Sequence, residues 1–92
     1  MKALLPLGSV ILCNGDEKKL MIHGRKVILT KKDSDTGKEV SERYDYCAVP
    51  WPEGFVGNEN VFVFNHDEIE RTFSPGYSDF EDLQYLADTA EF

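Results

Sequence analysis

KLMIHGRKVILT, residues 19–30, has the pattern of one long β-strand with a glycine near its middle. Apolar residues occupy alternate positions on both sides of Gly24, such as Leu20 and Ile22 before it, and this period is typical of a half-buried strand. A glycine inside a strand often marks a bulge or a sharp bend. Since such bends curl small sheets, this segment predicts a strongly curved sheet.

Four further segments have strand composition: residues 8–13 (GSVILC), 43–49 (RYDYCAV), 61–64 (VFVF) and 71–74 (RTFS). Residues 31–42 are polar and predict a solvated hairpin end, with its tip at 35–37. The order of elements predicts a mainly β (α+β) fold: a small five-stranded antiparallel sheet, either an SH3-like barrel or a curled sheet, with a C-terminal helix. We expect one domain over residues 1–92, with a β core at 8–74.

The C-terminal helix is predicted over residues 78–90. Ser78 and Glu81 have the spacing of a capping box, in which Ser78 is the N-cap. The predicted apolar stripe leaves Tyr85 to one side and Asp82 on the outer face, and it comprises Phe80, Leu83, Leu86, Ala87 and Ala90. A helix this short must dock on something, either an open end of its own sheet or a partner.

The net charge of −7 argues against sequence-independent binding to nucleic acid or to anionic membranes. The charge is uneven: residues 1–32 carry seven basic and two acidic groups, whereas residues 33–92 carry three basic and fifteen acidic groups. Two interpretations remain open. Basic strands lie against acidic ones within the fold, or an acidic face is reserved for a basic partner.

The segment FNHDEI, residues 64–69, places a histidine beside two acids and resembles a metal or acid/base site. Successive residues on one helical turn diverge by about 100°, so His66, Asp67 and Glu68 are not expected to face one ion. We expect Asn65 to cap a single turn, His66 to be accessible without metal, and Ile69 to be buried.

No catalytic motif is present, because the chain lacks GxSxG, CxxC, HExxH and Gly-rich phosphate-loop patterns. Cys13 and Cys47 lie in apolar runs and are expected to be buried free thiols, as in a cytoplasmic protein. No signal peptide or membrane-length apolar run is seen. We therefore expect no enzyme activity, no catalytic residue, no cofactor and no metal.

Aromatic residues cluster on the third strand and its exit loop, where prolines bracket Trp51. Aromatic side chains on such loops are frequent interface anchors, although in a small domain they also fill the core. Together with the acidic helix, they give the candidate partner-binding residues: Tyr44, Tyr46, Trp51, Phe55, Asp82 and Tyr85.

Two long segments carry a family resemblance. LPLGSVILCNGDEKKLMIHGR (5–25) and YDYCAVPWPEGFVGNENVFVFNHDEIERTFSPGY (44–77) resemble a family of short Gram-positive bacterial proteins catalogued as a domain of unknown function, over about residues 4–80. Members share the order LPLGSV, KLMIxGR, YDY, PEG and FNHxDI. Trp51 here takes the place of a more usual tyrosine, and the 31–42 hairpin is highly charged.

Proteins of this family are typically encoded beside LXG-domain toxins of the type VII secretion system. The resemblance therefore implies a cytoplasmic, non-enzymatic accessory protein or chaperone. It would bind the helical N-terminal LXG region of a toxin to target it for export, together with small WXG-like helical partners. An alternative is an immunity protein that neutralises a cognate toxin domain, since acidic small domains associate rapidly with basic toxins. A third hypothesis, an enzyme or ligand-binding protein, would depend on His66.

Overall fold

A computed structural model describes residues 4–90 of the chain. Its strands are β1 (Val10–Cys13), β2 (Leu20–Lys32), β3 (Glu39–Pro50), β4 (Phe62–Phe64) and β5 (Ile69–Ser74), and its helix is α1 (Phe80–Asp88). Two single 3₁₀ turns, Asn58–Asn60 and His66–Glu68, flank β4.

The strands form one antiparallel sheet in the order β4-β3-β2-β1-β5. The predicted five-stranded antiparallel sheet with a C-terminal helix is confirmed. The sheet is not closed into an SH3-like barrel, because β4 and β5 do not pair and remain its two edges.

The predicted irregularity in the long strand is a β-bulge. Ile22 pairs with Ala48 and Gly24 pairs with Cys47, so His23 is the extra residue of β2. A Cβ atom on Gly24 would lie 2.4 Å from Cys47 Sγ, and only glycine permits this approach. The bulge shifts the register of β2 just before Arg25 and Lys26, the residues that hold α1.

Half of the polar hairpin end predicted for 31–42 is strand, namely residues 31–32 and 39–42. Pairing between β2 and β3 continues out to Lys32 and Glu39, and every residue from 30 to 43 is exposed. Hairpin pairing needs only backbone groups, so a two-stranded ribbon can extend beyond the point at which apolar alternation stops. Ile28 and Val40 are exposed apolar residues of these two strands.

The core is built from alternate residues of neighbouring strands, which share one face of the sheet. Leu4, Leu5 and Ile69 are partly buried and pack against it. Ile69 therefore packs the end of the 3₁₀ turn His66–Glu68 against the core, as predicted, although it is half-buried and not fully buried. The buried cluster comprises Ile11, Cys13, Leu20, Ile22, Tyr46, Ala48 and Phe64.

Candidate protein-binding surfaces

Large apolar side chains are unusually exposed. Within residues 4–90, twelve of them are accessible to solvent, compared with nine buried hydrophobic residues. Large exposed apolar patches on small domains mark interaction sites. The exposed set is Leu7, Ile28, Val40, Trp51, Phe55, Val56, Phe62, Phe73, Tyr77, Phe80, Leu83 and Tyr85.

The helix α1 is attached to the sheet by its polar side. Arg25 Nη2 donates to Asp82 Oδ1 at 2.5 Å, and Lys26 Nζ donates to the Thr89 carbonyl at 2.6 Å. The Tyr85 ring lies under both cations, with its centroid 5.5 Å from Arg25 Cζ and 5.8 Å from Lys26 Nζ. The helix therefore docks through ionic, hydrogen-bond and cation–π contacts.

Asp82 is the centre of this attachment. Its second carboxylate oxygen accepts from Ser78 Oγ at 2.9 Å. Hydrogen bonds from Arg25 and then from Ser78 hold the pKa of Asp82 below its ordinary value. The N-cap is Asp79, whose Oδ1 accepts from the Asp82 N–H at 3.0 Å, so the predicted cap at Ser78 is one residue too early.

The stripe predicted to dock the helix faces solvent instead. Phe80 is 78% exposed and Leu83 is 60% exposed, and Ala87 and Ala90 are also exposed. Of the five predicted stripe residues only Leu86 is half-buried. We call the exposed residues Phe80, Leu83, Ala87 and Ala90 the helix stripe.

A second exposed apolar surface lies on the loop after β3. Trp51, Phe55 and Val56 are exposed there, and Val56 and Phe62 line a groove of about 380 Å³. The Trp51 N–H donates to the Lys19 carbonyl at 2.9 Å, and a Lys18–Glu53 ion pair of 2.7 Å joins the loop to the β1–β2 turn.

The six predicted partner-binding residues are not all on the surface. Trp51 and Phe55 are exposed, and Tyr85 is 45% exposed beside its two cations. Tyr46 is fully buried and Asp82 is committed to Arg25. Tyr46 therefore cannot touch a partner directly, and Asp82 positions the helix instead.

Tyr46 is buried in the core and its hydroxyl has two hydrogen-bond partners. Its Oη accepts from the Leu5 N–H at 2.9 Å and lies 2.6 Å from His66 Nδ1. Burial raises the pKa of the Tyr46 phenol above its ordinary value. Its neighbour Tyr44 is half-buried, and its hydroxyl donates to the Glu42 carboxylate, which raises the pKa of Tyr44.

The segment around His66 is a capped turn. The Asn65 N–H donates to Glu68 Oε2 at 2.7 Å, and the His66 N–H donates to Asp45 Oδ2 at 2.8 Å. His66 is half-buried and bonded to Tyr46, so it is less accessible than predicted. Within the described part of the chain, no three His, Cys, Asp or Glu side chains converge as metal ligands would.

The bulge brings one cysteine beside a histidine, because Cys47 Sγ lies 3.6 Å from His23 Nδ1. Burial raises the pKa of the Cys47 thiol, and burial with the nearby Asp16 and Glu68 carboxylates raises that of Cys13 to about 11. Both environments favour the neutral thiol, which is a poor nucleophile.

Sequence reasoning missed Arg25 and Lys26 as the anchors of α1. The charge division between the two ends of the chain was the available signal, since the Arg25–Asp82 and Lys18–Glu53 pairs each join a basic residue of 1–32 to an acid of 33–92. The structure thus supports the interpretation that basic and acidic segments meet within the fold.

No helix within residues 4–90 combines the length and apolarity needed to cross a bilayer.

No curated protein and no solved structure matches the chain at a significant level. One family model matches it over residues 4–85, which is most of its length. This chain is therefore a member of the family described as a domain of unknown function, DUF4176.

Proposed function

We propose that this protein is a non-enzymatic, cytoplasmic protein-binding accessory or chaperone. It binds the helical LXG region of a type VII secretion toxin and targets that toxin for export, together with small WXG-like helical proteins. The observation that carries this proposal is the set of twelve exposed large apolar side chains, which outnumber the nine buried hydrophobic residues of the described chain. A domain with this balance gains apolar burial by binding another protein.

Two features make protein binding the class of function that fits best. The exposed residues include the aromatic side chains Trp51, Phe55 and Phe80, a residue type enriched at the centres of interfaces. Burial raises the pKa of both cysteine thiols, which favours the neutral form over the nucleophilic thiolate. The partner's identity comes from the family resemblance alone.

The direct test is co-expression of the full chain with the helical LXG region of the toxin encoded beside it. We expect a complex that survives affinity capture and gel filtration. The toxin's C-terminal catalytic domain, expressed separately as an inactive variant, is the matched control and should not bind. If no neighbouring LXG region forms a complex, the proposal is wrong.

The same experiment distinguishes a targeting chaperone from an immunity protein. The net charge of −7 favours the immunity protein alternative if the toxin domain is basic. An immunity protein would bind the catalytic domain and restore growth to cells that express the active toxin. A targeting chaperone would bind the LXG region and leave toxicity in the cytoplasm unchanged.

A further inference from the structure

The helix α1 presents two unlike faces. At about 100° per residue, positions 82, 85, 86 and 89 share one side, and the contacts to Arg25 and Lys26 come from this side. Positions 80, 83 and 87 share a different side, and together with Ala90, which follows the C-cap Thr89, they form the helix stripe. The intramolecular docking of α1 therefore leaves the helix stripe unused.

The exposed side is the more apolar of the two. Phe80 and Leu83 are three residues apart, and Ala87 continues the same line with a small side chain. Large residues at one end and small ones at the other allow a second helix to approach closely along the stripe. A helix of nine residues is about 14 Å long, so it matches two to three turns of a partner.

The segment that carries the helix stripe is acidic. Residues 77–90 contain four acids and no lysine, arginine or histidine. Asp79 and Asp82 are used as the cap and the ion pair, whereas Glu81 and Asp88 are exposed on the side of the helix beyond Gln84. An apolar line on an acidic helix is complementary to an apolar line on a basic helix.

The negative charge of this segment selects among the molecules that could bind the helix stripe. A second copy of the chain would bring two acidic helices together, and like charges oppose that association. An anionic bilayer would be repelled in the same way. A basic partner is attracted, and its cations would contact the rim of the site while its apolar side chains cover Phe80 and Leu83.

We propose that the helix stripe of α1 binds an amphipathic helix whose apolar side chains are flanked by lysine or arginine. This inference deepens the proposed function and rests on it in one respect, since it places the partner helix in the LXG region. The sheet supplies rigidity: Arg25 and Lys26 fix the other side of α1, so the stripe is presented without a further folding step.

The test compares variants of the full chain for affinity to the LXG region by isothermal titration calorimetry. The double variant Phe80→Asp/Leu83→Asp should weaken binding by about a hundredfold, as expected for two central apolar contacts. The charge reversal Glu81→Lys/Asp88→Lys should weaken it about fivefold and reduce its salt dependence. The matched control Ile28→Asp/Val40→Asp changes two exposed apolar residues of β2 and β3, and it should bind as the parent chain does.

The fold of each variant is checked by circular dichroism and by thermal unfolding. If the LXG region binds the parent chain and the Phe80→Asp/Leu83→Asp variant equally well, the helix stripe is not the docking site and the proposed function still stands. Dimerisation of the parent chain through the stripe, seen as a shift to monomer on Phe80→Asp/Leu83→Asp substitution in sedimentation, would also overturn the inference.

A second probe keeps the inference testable if no LXG region binds. This probe is a synthetic helical peptide with a leucine stripe and lysine flanks, and its matched control has glutamate flanks. The lysine peptide should bind the parent chain and not the Phe80→Asp/Leu83→Asp variant, which would support the docking site while the proposed function fails. Equal binding of both peptides, or of neither, would overturn the inference.

Discussion

The Arg25 guanidinium lies 2.5 Å from the Asp82 carboxylate across 57 residues of sequence, and the pair joins the bulged strand β2 to α1. Only 5% of the Arg25 side chain and 13% of the Asp82 side chain are exposed. A charge pair this buried is costly to break from one side, because the remaining charge loses both partner and water.

Replacing Asp82 with alanine should therefore detach α1 and lower the free energy of unfolding by about 3 kcal/mol. Urea denaturation followed by circular dichroism measures this change. The control is Asp88→Ala, which removes an acid from the same helix whose side chain accepts only from Gln84 Nε2 and should change stability by less than about 0.5 kcal/mol. Equal effects of the two substitutions would contradict the anchoring role of Asp82.

Stability should fall in acid because of the same pair. The pKa of Asp82 is lowered in the folded state, so the unfolded chain takes up this proton at higher pH than the folded chain does. The contribution of the ion pair is complete above the ordinary aspartate pKa of 3.8 and is lost as pH falls through the lower folded pKa. Unfolding free energies measured from pH 6 to pH 2 should show a steeper acid decline for the parent chain than for Asp82→Asn. Parallel curves would rule this out.

Tyr46→Phe should destabilise the protein by about 1.5 kcal/mol, since removal of one buried hydroxyl leaves two groups without a partner. Those groups are the Leu5 N–H and His66 Nδ1. Tyr44→Phe is the matched control, because its hydroxyl contacts only the exposed Glu42 side chain. Thermal unfolding compares the two variants, and a larger effect at Tyr44 than at Tyr46 would be inconsistent with the structure.

Gly24→Ala should destabilise the bulge by about 2 kcal/mol through overpacking. The added Cβ would lie 2.4 Å from Cys47 Sγ. A double-mutant cycle with Cys47→Ala identifies the cause, because Gly24→Ala should cost clearly less once the sulfur is absent. Additive effects of the two substitutions in urea denaturation would show that the contact is not responsible.

The strands were predictable because their alternating apolar residues reflect burial on one face of the sheet. The register change at Gly24 was also predictable, because a glycine inside a strand often marks a bulge. The length of the β2–β3 hairpin was not predictable from the sequence. Its outer pairs, Thr30–Lys32 with Glu39–Ser41, are exposed, and backbone hydrogen bonds leave no pattern in the sequence.

Of the two docking alternatives for α1, its apolar stripe against the sheet is wrong, as is Asp82 on the outer face, and the reason is physical. The usual rule places the apolar side of a helix against the core, yet here Arg25 and Lys26 bind the side that carries Asp82 and Tyr85. Long-range charge pairing overrode the amphipathic pattern, and a single sequence does not specify which acid a given cation will meet. The sequence left the position of Tyr46 open, because an aromatic residue on a strand serves either a core or an interface, and the structure places it in the core.

The position of β1 between β2 and β5 has a consequence for synthesis on the ribosome. The strand β1 is paired on one side by β2 early, but its other side waits for Ile69–Ser74, where Val10 pairs with Ser74. The Arg25 guanidinium waits longer still for Asp82. A nascent chain therefore holds an open strand edge and an unpaired cation until residues 69–82 have been made, and these contacts of long sequence separation form slowly.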